Sequence, residues 1–211
     1  MKSALIFWGG WDGHTPEQTA ELQAGELRKN DFEVRIENKL DSLADAEQLK
    51  KLDLIIPMWT MGQIAKEQSA GLRQAVQSGV GLAGVHGGMG DSFRGDIDYQ
   101  WMVGGQFVGH PYVGEYTVTR TKVKSPITEG LPAAFTYNSE QYYMLVDPAN
   151  EVLAETVYDW QGAKVTMPVV WTRKWGEGRV FYSALGHVAE EFKKYPAVLA
   201  MTTRGMLWAA R

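Results

Sequence analysis

The chain has 211 residues, of which 45% are hydrophobic and 22% charged, values that are typical of an ordinary globular α/β domain. A chain of this length buries roughly 70% of its unfolded surface, so it can form a core without disulfides or a structural metal. The absence of cysteine excludes disulfides, cysteine-ligated zinc, iron–sulfur clusters and cysteine nucleophiles. The net charge is −4 with no block of like charges, so nucleic acid and anionic membranes are not expected partners.

The sequence also shows no pattern typical of a targeting signal or a membrane span. The apolar run before Gly9 is too short for the hydrophobic part of a signal peptide. No apolar run approaches the roughly 18 residues that a membrane span needs. We therefore expect a cytoplasmic protein, and because there is no repeat or linker-like stretch, a single domain over residues 1–211.

The first 86 residues alternate between strand and helix patterns. Apolar runs predict strands buried on both faces, as in a parallel sheet, at residues 4–8, 54–59 and 80–85. Residues 32–37 alternate between apolar and charged, which indicates a strand near the sheet edge. Helices are predicted at residues 16–30, 43–52 and 66–78. The first has Thr15 as its expected N-cap and Pro16 at its first position.

The second half has the patterns of an antiparallel sheet. Strand-like runs occupy residues 112–122, 151–158, 169–175 and 179–185, and a helix is predicted over residues 196–210. We predict an α/β fold with a single doubly wound, flavodoxin-like sheet, which is parallel in the first half and gains antiparallel strands in the second.

The histidines are the first candidates for a functional site. In an open parallel sheet, ligands bind at the carboxyl ends of the strands. Each histidine lies beside a glycine, and at least three follow predicted strands: His14, His86, His110 and His187. One such histidine would more often be structural, but together they predict a shared pocket. Glu140 lies among tyrosines and is a candidate acid or base.

The segment Gly84-Val85-His86-Gly87-Gly88 has the spacing of a nucleophile elbow with histidine at the central position. An imidazole there cannot act as a serine or cysteine nucleophile. Because the elbow precedes a helix start, whose field disfavours imidazolium, we predict that His86 is neutral at pH 7. Dinucleotide, P-loop and serine-hydrolase motifs do not occur in the sequence.

Tryptophans near the predicted strand exits favour a carbohydrate ligand. Indole faces stack on the apolar faces of sugar rings, whose hydroxyls then need hydrogen-bond partners. The candidate substrate-binding residues are Trp11, Asp12, His14, Trp59, Trp101 and His110. We expect at least half of the tryptophans to pack in the core instead.

Several motifs in a fixed order resemble the ThuA-like (trehalose utilisation) family over nearly the whole chain. They are 79–88, 104–107, His110-Pro111, 125–132, Glu140, 185–187 and 204–208. The resemblance implies a class I glutamine amidotransferase-like fold and a role in carbohydrate metabolism, in the catabolism of oxidised (keto) disaccharides or glycosides. It places His86 at the elbow and His187 at the triad histidine, with Glu190 as the nearest following acid. Without cysteine, glutaminase activity is not expected.

Three hypotheses for the function stay open. The first is an acid–base enzyme acting on a keto-sugar, with His86 and His187 as proton carriers and Glu140 assisting. The second is a divalent-metal site built from some of His14, His110, His187 and Glu140, although no cofactor is required by the sequence. The third is a non-catalytic sugar-binding or regulatory module. A small-molecule carbohydrate is the expected partner, and a homo-oligomer is compatible with the sequence.

Overall fold

The computed structural model describes residues 1–211, except for the side chain of Trp160. Within these residues one mixed sheet contains nine strands: β1 (Lys2–Gly10), β2 (Phe32–Glu37), β3 (Leu54–Thr60), β4 (Gly81–Val85), β5 (Gly105–Arg120), β6 (Ala134–Val146), β7 (Glu151–Trp160), β8 (Ala163–Trp175) and β9 (Gly178–Ser183). Their order across the sheet is β2-β1-β3-β4-β9-β8-β7-β5-β6. The protein is therefore an α/β protein with one large mixed sheet.

The helices connect the strands and cover the sheet. They are α1 (Pro16–Arg28), α2 (Ala46–Leu49), α3 (Lys66–Gln77), α4 (His86–Gly90), α5 (Ile97–Val103), α6 (Ala189–Lys194) and α7 (Pro196–Ala209), with short 3-10 turns at Asp12–His14 and Asp41–Ala44. Helix α1 packs with α6 and α7, whereas α3 packs with α2 and α5. None of the described helices is long and apolar enough to cross a bilayer.

Parallel pairing joins β1 to β2 and β3, and β3 to β4, as predicted for the first half. It is not confined to that half, because β9 lies parallel to β4, with Val85 opposite Ser183. All five residues of β4 are buried, so this strand needs a neighbour on its far side, and β9 supplies it. The remaining pairs, β9–β8, β8–β7, β7–β5 and β5–β6, are antiparallel.

Two local predictions for the helices are wrong. Thr15 does not cap α1, since its φ of 45° is left-handed and no side-chain cap bond forms. Its hydroxyl instead accepts a hydrogen bond from the Ala189 N–H at 3.0 Å, which ties the start of α1 to the start of α6. The helix predicted at 43–52 is reduced to the short helix α2 preceded by a 3-10 turn.

Candidate active site

The carboxyl ends of four adjacent strands meet at one edge of the sheet, as predicted. Strand β1 leads into the turn that holds His14, β3 ends at Thr60, β4 ends directly before His86, and His187 follows β9. Strand β6, from the antiparallel part of the sheet, brings Glu140 to the same place. Residues that are far apart in the sequence therefore surround one point.

Three imidazoles pack edge to face around the carboxylate of Glu140. Ring centroids are 4.7 Å apart for His14 and His86, 5.0 Å for His14 and His187, and 5.1 Å for His86 and His187. Glu140 Oε2 lies 3.3 Å from His187 Nδ1 and 3.5 Å from His86 Nε2. We call His14, His86, Glu140 and His187 the His/Glu cluster; one potential metal-ligating atom of each lies within 4.8 Å of the others.

His110 lies at the outer side of this cluster. Its Nε2 is 3.5 Å from Glu140 Oε1, and its side chain is 44% exposed. The sequence placed it in a turn, but it lies within β5, next to an irregularity in the pairing of β5 with β6. Of the four histidines it is the most exposed to solvent.

The outward nitrogens of two cluster imidazoles have partners. His14 Nδ1 lies 2.7 Å from Thr60 Oγ1, and His86 Nδ1 lies 2.8 Å from the hydroxyl of Tyr142. The nitrogens that face Glu140 have no such partners: His86 Nε2 and His187 Nδ1 are buried and make no hydrogen bond. Although Glu140 is close to both atoms, its oxygens are not aligned with them for hydrogen bonding.

Burial and mutual repulsion keep two of the imidazoles neutral. Burial, helped by the charge of His187, lowers the pKa of His14 to about 4. Burial likewise lowers the pKa of His86 well below its usual range. The neutral state predicted for His86 is thus supported, but its main cause is burial and not the start of a helix. The Glu140 carboxylate raises the pKa of His187.

Glu140 is held in its ionised form. Burial alone would raise the pKa of its carboxyl, but the adjacent His187, followed by His110 and His14, lowers that pKa overall. The site therefore contains a carboxylate beside two neutral imidazoles, those of His14 and His86, a donor set suited to proton transfer or to a cation.

The elbow geometry is present at His86. Its φ of 46° is left-handed, a strained conformation for a residue with a side chain. A Cβ at Gly84 would lie 2.6 Å from the side chain of Met89, and one at Gly87 would lie 2.4 Å from His14 Cε1. The glycines are needed because other atoms approach the turn closely.

A cavity of about 140 Å³ opens beside the cluster. Its lining consists of Trp11, His14, Thr60, Met61, Asp91, Arg94, Phe107, His110, Glu140 and Tyr142. Arg94 donates to the buried carboxylate of Asp91 through Nε at 2.6 Å and Nη2 at 2.9 Å. The sequence analysis missed Asp91, Arg94, Phe107 and Tyr142. A strand period of two residues from Glu140 would have found Tyr142.

Three predicted substrate-binding residues lie outside the lining of this cavity. Asp12 is exposed on its 3-10 turn. Trp59 packs against Gly9 and Gly62, each of which lacks the side chain that would collide with the indole. Trp101 lies on α5 and packs edge to face on Trp175, with 5.3 Å between the rings. By contrast, Trp11 lines the cavity and is 47% exposed.

Glu190 is not the partner of His187. It is exposed and pairs with Lys193 at 2.6 Å. The next residue, Glu191, accepts a hydrogen bond from the His187 backbone N–H at 2.9 Å and another from the hydroxyl of Tyr137. The carboxylate that faces the His187 ring comes instead from Glu140.

Several solved structures share the fold of this chain. The chain resembles a ThuA-like protein of Bacteroides uniformis, with 22% identity, 99% of this chain and 91% of the other covered, and a TM-score of 0.79. A ThuA-like protein of Parabacteroides merdae has 17% identity, with 99% and 89% covered and a TM-score of 0.74. The cytoplasmic protein STM1381 of Salmonella typhimurium has 12% identity, with 99% and 100% covered and a TM-score of 0.67.

No curated protein matches the sequence significantly. The solved structures share the fold, and their identities are too low to transfer an activity. The model of the ThuA family, described as trehalose utilisation, matches residues 3–209. This match covers nearly the whole sequence, and the chain therefore belongs to the ThuA (trehalose utilisation) family.

Proposed function

We propose that the protein is an enzyme of carbohydrate catabolism that acts on an oxidised (keto) disaccharide or glycoside by proton transfer. The observation that carries this proposal is the position of Glu140, whose carboxylate lies within 3.5 Å of His86, His110 and His187 beside a cavity. Membership of the trehalose utilisation family supports a sugar as the substrate class.

A keto-sugar suits the groups that are present. Its carbonyl acidifies the neighbouring C–H, so a carboxylate can remove the proton without a covalent nucleophile. Elimination then balances as follows. The base takes the α-proton, the electron pair forms a C=C bond, the C–O bond to the aglycone breaks, and an acid protonates the departing oxygen. The products are an unsaturated keto-sugar and an alcohol.

The structure changes the roles expected for the histidines. His86 is 2% exposed and does not line the cavity, so it cannot carry a proton to the substrate. Glu140 and His110 both line the cavity. We assign Glu140 as the base and His110 as the acid, with His86 and His187 positioning Glu140.

Residues that line the cavity would bind the sugar. The partly exposed indole of Trp11 offers a stacking face. Arg94 lies near the Phe107 ring, 5.8 Å from its centroid, and is oriented by Asp91, so its free N–H groups can donate to hydroxyls. Because the cavity is small, one sugar unit enters it and the rest of a disaccharide lies outside.

The test is incubation with a panel of keto-disaccharides and keto-glycosides in deuterated water, with detection of aglycone release and of deuterium at the α-carbon of the recovered substrate. Glu140→Gln and His110→Gln should each lower kcat/KM by about 100-fold or more. Glu190→Gln, the same change on an exposed residue, is the control and should keep the wild-type rate. The proposal is contradicted if no keto-sugar is turned over or if Glu140→Gln is fully active.

A further inference from the structure

We propose that the His/Glu cluster binds one divalent transition-metal ion, through His14, His86, His187 and Glu140. The ion would bind whether or not a keto-sugar is the substrate. Only its role in catalysis rests on the proposed function. The cluster places one ligand atom of each residue within 4.8 Å of the others.

The distances within the cluster match those around a metal. Histidine nitrogen and carboxylate oxygen bind Zn²⁺ at about 2.0–2.2 Å, so neighbouring ligand atoms in a tetrahedral site are roughly 3.4 Å apart. Glu140 Oε2 is 3.3 Å from His187 Nδ1 and 3.5 Å from His86 Nε2. The Glu140–His187 and Glu140–His86 pairs therefore already have the required separation, and the other pairs of ligand atoms, which lie within 4.8 Å of one another, need a contraction of at most about 1.4 Å.

The unpartnered nitrogens point to a bound cation. His86 is 2% exposed, and its Nε2 is buried without a hydrogen bond, as is His187 Nδ1. Buried polar atoms without partners are costly and rare. A proton shared between His187 and Glu140 would satisfy that pair but would leave His86 Nε2 unpartnered. One metal ion satisfies both nitrogens and the carboxylate together.

The surrounding residues orient the rings as in known metal sites. A metal-bound histidine commonly donates its other N–H to a neighbouring oxygen, which fixes the tautomer. Here Thr60 Oγ1 lies 2.7 Å from His14 Nδ1, and the Tyr142 hydroxyl lies 2.8 Å from His86 Nδ1. If each Nδ1 donates, the Nε2 lone pair of both rings is left free for the metal.

The donor set also indicates the kind of ion. Three imidazoles and one carboxylate, with no sulfur, suit first-row ions such as Zn²⁺ and Co²⁺ and not Mg²⁺ or Ca²⁺, which prefer oxygen ligands. His14 and Glu140 line the cavity, so the ion would be reachable from it. A metal there would polarise the carbonyl of a keto-sugar as a Lewis acid by taking the carbonyl oxygen as a fifth ligand, while Oε1 of Glu140, the oxygen that faces His110, would stay free to act as the base.

Direct binding is measured on chelator-treated wild-type protein. Calorimetric titration with Zn²⁺ should give one equivalent per chain, and Co²⁺ should give a visible d–d absorption spectrum. The melting temperature should rise with free Zn²⁺, because a ligand that binds only the folded state stabilises it. These measurements need neither a variant nor a substrate.

Variants locate the ion. Tyr142→Phe should weaken Zn²⁺ binding about 10- to 100-fold, because it removes the hydroxyl that orients His86. Glu140→Gln and His86→Gln should weaken it at least as much. Glu190→Gln, which alters an exposed residue away from the cluster, is the matched control and should bind Zn²⁺ with wild-type affinity. Circular dichroism shows which variants are folded.

The results separate this inference from the proposed function. Failure of the wild type to bind Zn²⁺ or Co²⁺ at one equivalent overturns the metal site, as does wild-type Zn²⁺ affinity in Glu140→Gln. Turnover of a keto-sugar at full rate by the chelated protein overturns the catalytic role and leaves the proposed function intact. Binding of one ion without turnover of any keto-sugar supports the metal site and contradicts the proposed function.

Discussion

Gly87→Ala tests the arrangement of the cluster without changing any of its side chains. A Cβ at residue 87 would lie 2.4 Å from His14 Cε1 and 2.7 Å from His14 Nδ1. It would also lie 3.1 Å from the hydroxyl of Tyr142, which contacts His86. One added methyl group would therefore press on His14, which belongs to the cluster, and on Tyr142, which orients His86.

The magnitude follows from these distances. Ordinary contacts of a Cβ begin at 3.4 Å, so the His14 ring must move by about 1 Å. The ring is packed against Trp11 with 4.7 Å between centroids, and against His86 and His187. Overpacking of this kind costs about 1–3 kcal/mol of folding free energy. A displacement of this size near reacting groups costs about 100-fold in rate.

Urea unfolding, Zn²⁺ titration and kcat/KM measure the effects of Gly87→Ala. We expect a lower unfolding free energy and losses in both Zn²⁺ affinity and kcat/KM. Gly95→Ala is the control, because a Cβ there meets no atom within 4 Å, and it should behave as wild type. Wild-type stability and Zn²⁺ affinity in Gly87→Ala would refute the close approach of this loop to His14.

Two further predictions concern the tryptophans and an ion pair away from the site. Trp171→Ala should lower the free energy of unfolding in urea by about 3–5 kcal/mol, because the indole is fully buried and donates to the Val103 carbonyl. Trp11→Ala should raise KM and lower the free energy of unfolding by less than about 1 kcal/mol, because Trp11 is partly exposed. Asp147→Asn should cost about 1 kcal/mol near neutral pH, because it removes the charge that faces Arg173 and leaves one oxygen where two now accept from the Ala149 N–H and Arg173. Since these bonds hold the pKa of Asp147 below its ordinary 3.8, the folded-state advantage is present above that pH, and acid unfolding should show it disappearing as the pH falls through the lowered pKa.

The rule that ligands bind at strand exits predicted most of the site because it depends only on the backbone. Parallel strands end at the same edge of the sheet, so His14 and His86 come together whatever their side chains do, and His187 joins them because β9 lies parallel to β4. The direction in which a side chain leaves its helix or strand is harder to predict from one sequence. Glu190 and Glu191 differ by about 100° around a helix, and this rotation puts one in solvent and the other against the His187 backbone.

The positions of the tryptophans could not be predicted for a related reason. Trp59 lies near the end of β3 and Trp101 lies in α5, and the order of residues in the sequence does not say which way either indole turns. Gly9 and Gly62 leave room for Trp59 to pack on the backbone, and α5 carries Trp101 to Trp175. Both outcomes depend on neighbours that come from distant segments.

The antiparallel part of the sheet completes the site. The elbow turn, strained at His86, directs an imidazole inward, where Tyr142 meets one nitrogen and Glu140 lies near the other. A side chain in that position can hold another group but cannot reach the substrate. In the proposed function the reacting groups therefore come from β5 and β6, which carry His110 and Glu140. In this chain the parallel strands thus position most of the His/Glu cluster, while the antiparallel strands supply its carboxylate and, in the proposed function, residues that face the sugar.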